Sequence, residues 1–135
     1  MKSACLAVVA CSAVLALTTS AYGSPHRDIT LRMHSQHRSG ESGTATLTDL
    51  GGNQTRVVIH VDSENTTGDQ PAHVHPGTCK HLNPIPRYVL HNVVLGRSNT
   101  VIDAPMSKLL GGHWSINVHE SKDNLKRYVS CGTIP

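Results

Sequence analysis

Two short segments far apart in the chain carry the residues that could do chemistry. Ala72-His73-Val74-His75-Pro76-Gly77-Thr78-Cys79 puts two imidazoles and a thiol within eight residues, and Asn117-Val118-His119-Glu120 followed by Cys131 supplies a third imidazole and a second thiol. In a strand, alternate side chains share a face, so His73 and His75 would project to one side while Ala72 and Val74 point to the other. By the same alternation Ile116 and Val118 would fill a core and His119 would face outward. A metal ion clasped between two such strands would sit on the outer wall of a sheet. Imidazole suits copper, zinc, iron and nickel, and a nitrogen-only set without a nearby thiolate favours copper in an exported protein, with zinc its chief competitor. Alternating histidines on an exposed strand face can also be solvated and idle, so the pair alone decides nothing.

The elements around these segments read as β. Runs 44–48 and 56–62 alternate in period two around the turn Gly51-Gly52-Asn53, the pattern of a hairpin. Further strands are expected at 28–33, 72–75, 88–94, 100–102, 114–119 and 127–131. The one helical piece follows Pro105 over 106–110 before Gly111-Gly112 stops it, and it is too short to stand without packing. The segment 24–42 is polar and basic, holding His26, His34 and His37 ahead of or within a first strand.

Lys2, an apolar run and the small residues up to Gly23 have the order of a secretory signal, so residues 1–23 are expected to be removed. Val8-Val9-Ala10-Cys11 loosely resembles a lipoprotein box, but the apolar run continues past Cys11 to Leu17. That run is shorter than the roughly 20 residues of a membrane span. About 112 residues remain, enough for one core. The formal charge of +3 falls to +2 with Lys2, and the cations form no run. One Trp, three Tyr and no Phe offer few stacking platforms, so no nucleic-acid partner is expected.

Of four cysteines, Cys5 and Cys11 would leave with the signal, and Cys79 and Cys131 would meet in an oxidising compartment. Their bonding is the expectation; free thiols or thiolate ligands are the alternatives. Closing that loop would stabilise the fold by roughly 4 kcal/mol in the chain-entropy model. Asn53-Gln54-Thr55 and Asn65-Thr66-Thr67 are glycosylation acceptors if the host glycosylates. His26 would be third after cleavage at Gly23, but Pro25 lacks the amide that an amino-terminal copper clamp needs.

The order of these pieces resembles the copper/zinc superoxide dismutase family. The 44–49 run and the strand after it, His73-Val74-His75 with Cys79 shortly after, His119-Glu120 with Asp123 and Leu125, and Cys131-Gly132-Thr133-Ile134 appear in the family's order over about residues 43–135. The resemblance implies an all-β, flattened eight-stranded Greek-key barrel with the metal outside it. It implies that His73, His75 and His119 bind copper, that Cys79 bonds Cys131, and that Asp123 orients metal-bound histidines through hydrogen bonds. His81-Leu82-Asn83-Pro84 resembles the segment carrying the family's bridging histidine, which makes His81 the fourth candidate ligand and His91 the next. His113 lies about 20 Å along its strand from His119 and cannot share the ion.

Two departures stand out. From Pro84 to Ile102 the chain offers only His91 and no acid, so no structural zinc site is expected. Where the family has its catalytic arginine this chain has Tyr128, with Arg127 one residue earlier and, by alternation, on the opposite face. The expected function is an exported copper protein, periplasmic or extracellular. It would dismutate superoxide, or store and deliver copper to a donor or acceptor; a metal-free interaction module is the third reading.

Overall fold

A computed structural model describes residues 27–63 and 69–135. The expected signal 1–23, Cys5, Cys11, His26 and the Asn65-Thr66-Thr67 acceptor lie outside the described residues. The chain is all-β. Strands β1 (Asp28–Ser35), β2 (Ser42–Gly51) and β3 (Gln54–Asp62) form a meander, followed by β4 (Gln70–Thr78) and the two-residue β5 (His81–Leu82). Then come β6 (Tyr88–Val93), β7 (Arg97–Ile102), a single helical turn α1 (Met106–Leu109), β8 (Trp114–Ser121) and β9 (Asn124–Ile134). The expected strands all form, most of them longer than the β-branched runs that announced them, and β5 is an addition.

All pairings are antiparallel. The ladder runs β4, β8, β9, β1, β2, β3, β7, while the other edge of β4 pairs with β6 along its first half and with β5 at its end. The sheet curls into a half-barrel, and β6 leads through a short hairpin into β7. There the His91 amide donates to Thr100 Oγ1 at 2.8 Å and Ser98 Oγ donates to the His91 carbonyl at 2.7 Å, so side chains satisfy backbone groups that no ladder partner reaches.

Period-two alternation explains which residues go inside. On β3, Val57, Ile59 and Val61 are buried while Arg56, Val58 and His60 are exposed. Met33, Leu47, Val74, Ile116 and Ile134 close the core from five other strands. Met106 and Leu109 of α1 plug it, and Trp114 Nε1 anchors the turn by donating to the Lys108 carbonyl at 2.9 Å. Among the described residues no helix is long and apolar enough to cross a membrane.

Cys79 and Cys131 are bonded across a sequence separation of 52. The bond fastens the 76–87 connection to β9, across the outer face of β8. Gly77 makes the start of that connection possible: its φ is +98° and a Cβ there would run into the His81 carbonyl.

Candidate metal centre

The core preference of Ala72 and Val74 turns His73 and His75 outward from β4, and Val118 does the same for His119 on β8. Adjacent strands in antiparallel register, His73 opposite Asn117, then bring the third imidazole alongside the first two. A β-bulge completes the aim. Val118 pairs with Ser130 but His119 pairs with Tyr128, so Val129 is the extra residue and Tyr128 shares the face of His119. The Tyr128 ring stands edge-on to His119 with centroids 5.1 Å apart.

The three imidazoles converge, each offering one ligand atom, and these atoms lie within 4.8 Å of one another. Two of the rings are locked by backbone carbonyls. His75 Nδ1 donates to the Asn83 carbonyl at 2.8 Å and His119 Nδ1 to the Leu125 carbonyl at 2.6 Å, which leaves the Nε2 lone pair of each ring facing the cluster. His73 Nδ1 lies 2.9 Å from His119 Nε2, a contact between the two nitrogens that an ion held by both would replace. His75 Nε2 is buried and has no hydrogen-bond partner. An orphaned buried acceptor is costly unless something fills it, and a metal ion would. The donor set therefore fits one ion bound by Nδ1 of His73 and Nε2 of His75 and His119. Beside it on the same sheet face, Asn117 and Ser115 are fully buried with unpartnered side-chain atoms.

The site is poised to stay neutral. Burial, reinforced by His119 and then His75, pushes the His73 pKa down to about 4 from 6.5. Burial also lowers His75 and His119, against the raising effect of their carbonyl bonds. Neutral imidazole is the form that binds metal. The cluster forms the floor of a cavity of about 340 Å³ walled by Pro84, Pro86, Leu125, Lys126 and Tyr128.

The remaining expected site residues lie elsewhere. His81 is exposed on β5 and outside the cluster. His91 is exposed on β6 with Nδ1 on the Asn99 carbonyl at 2.8 Å, and His37 reaches the Tyr128 carbonyl at 2.9 Å. Asp123 sits at the tip of the β8–β9 turn, where Ser121 pairs with Asn124, and its carboxylate meets Lys122 at 3.2 Å in solvent. The orienting bonds expected of Asp123 are made by the Asn83 and Leu125 carbonyls. Arg127 turns away from the cavity and pairs with Glu120 at 2.8 Å, while Lys126 supplies the cation that lines it. No sequence signal marks a backbone carbonyl as an orienting group, and a bulge that shifts Lys126 and Tyr128 onto the site leaves no local signature either.

No protein-family model, curated protein or solved structure matches this chain.

Proposed function

We propose that this is an exported copper-binding protein of copper/zinc superoxide dismutase type, holding one ion on His73, His75 and His119. One observation carries the reading: three imidazole nitrogens within 4.8 Å, two of them fixed in tautomer and direction by backbone carbonyls. A curled, all-antiparallel sheet in which β8 lies beside β4 supports it. The disulfide is what an oxidising compartment would leave. Nitrogen ligands without thiolate favour copper over zinc, because both cysteine sulfurs are consumed in that bond. Bound copper would supply one-electron chemistry, accepting an electron from one superoxide and passing it to a second.

The protein's own part is to hold the ligands and admit a small anion. Pro84, Pro86, Leu125 and Tyr128 give the cavity a largely apolar wall, and Lys126 beside them offers a positive charge to an incoming anion. A second reading, copper storage or delivery without turnover, is favoured by the Glu120–Arg127 ion pair, which neutralises the arginine beside Lys126. Metal analysis of the mature protein, electron paramagnetic resonance of the copper form and a superoxide assay separate the two. One equivalent of copper with turnover supports the dismutase, and one equivalent without turnover leaves the carrier. No bound copper after loading would end both.

A further inference from the structure

A second concavity, of about 570 Å³, lies on the other side of the disulfide from the histidine cluster and shares no residue with it. Its walls carry Arg32, His34 and Lys80, with Gln36, Thr78 and Thr133 between them, and the Cys79–Cys131 bond lines it as well. No carboxylate lines it. Arg32 and His34 both face outward from β1 because Leu31 and Met33 are committed to the core. A polar row leads from Arg32 across the sheet to a second arginine. Register places Arg32 opposite Thr44, Thr44 opposite His60 and His60 opposite Arg97, a row whose members share one face. Three interstrand steps of about 4.8 Å span roughly 14 Å. At the far end Asp62 approaches His60, with 3.8 Å between Oδ1 and Nε2.

We propose that this groove and row form a binding site for an acidic glycan, a chain bearing sulfate or carboxylate groups among hydroxyls. The residue types select that class. Arginine and lysine attract the oxyanions, and the amide and hydroxyl side chains interleaved with them suit a ligand rich in neutral hydroxyls. The volume exceeds what a lone inorganic anion fills and lies in the range of sites for larger ligands. No Phe, Tyr or Trp lines the groove, so stacking of nucleic-acid bases has no broad platform there. The site stands independently of the copper reading.

The test uses the mature protein with two probes, a sulfated heparin-derived hexasaccharide and an unsulfated polygalacturonate hexasaccharide, titrated at low and at physiological salt. At least one should bind, more weakly as salt rises. Arg32→Gln with Lys80→Gln should lower its affinity about tenfold or more, while Lys122→Gln on the β8–β9 turn leaves it unchanged. Binding of the heparin-derived probe alone makes sulfate the required group, and binding of both shows that carboxylate suffices. Absence of binding by either probe would overturn the proposal. So would an affinity that survives the double substitution, or an equal loss in Lys122→Gln, which would mean general surface charge alone. The substituted residues are exposed, and an unchanged melting temperature in the double variant shows that a lost affinity is not lost folding.

Discussion

At the scale of single residues, His73, His75 and His119 meet on one face because Ala72, Val74 and Val118 beside them are fully buried in the core. Two histidines at positions i and i+2 beside Ala72 and Val74 announce a shared strand face. The orienting partners are backbone carbonyls of Asn83 and Leu125, whose identities say nothing of the role. His119→Ala should abolish tight copper binding, whereas His81→Ala, altering an exposed residue outside the cluster, should change affinity less than twofold; isothermal titration of both variants checks the assignment. Equal losses would place His81 on the ion after all. The depressed imidazoles also fix a pH dependence. Above pH 6.5 folded and unfolded chains bind equal numbers of protons at His73. Between 6.5 and about 4 the unfolded chain takes up a proton that the folded one refuses, so stability of the metal-free protein falls with falling pH and this contribution levels off below about 4. His75 and His119 act in the same direction. Denaturant titrations of wild type and of the His73→Gln variant across pH 7 to 4 should show the slope flattened in the variant.

At the scale of elements, the strands followed from alternation and turn residues, as at Gly51-Gly52-Asn53 between β2 and β3. Missing from the sequence reading was the path of the 76–87 connection. Its shape depends on a left-handed Gly77, on the two-residue pairing of β5 with the end of β4, and on a covalent tie to β9, and only the last could be anticipated from residue types. The connection delivers the Asn83 carbonyl to His75, so the disulfide is coupled to the ligand's orientation. Replacing both cysteines by serine should cost about 2–4 kcal/mol in denaturant stability and should also weaken metal binding, because His75 loses its fixed partner. A variant that loses stability yet keeps wild-type affinity would show that the carbonyl stays in place without the bond.

For the whole molecule, the site exists only where β4 and β8 lie side by side, and His119 follows His73 by 46 positions in sequence. The pairing is imposed by everything around it: β8 is held by β9, β9 by β1, and the meander returns round the curl to β7 and β6. Long-range order of this kind leaves only a weak trace in a single sequence, which is why the strands could be placed one by one while their assembly rested on a family resemblance. It also means that the unfolded chain has no preformed site, so binding free energy adds to folding free energy. Free copper at a thousand times its dissociation constant should add about 4 kcal/mol, less whatever the unfolded histidines retain. For a domain of this size that amounts to a rise in melting temperature on the order of 15 °C. Thermal unfolding with copper, and again after a chelator, measures it. The rise should vanish in a variant lacking His73, His75 and His119 together; if it persists there, the ion stabilises the fold from some other place.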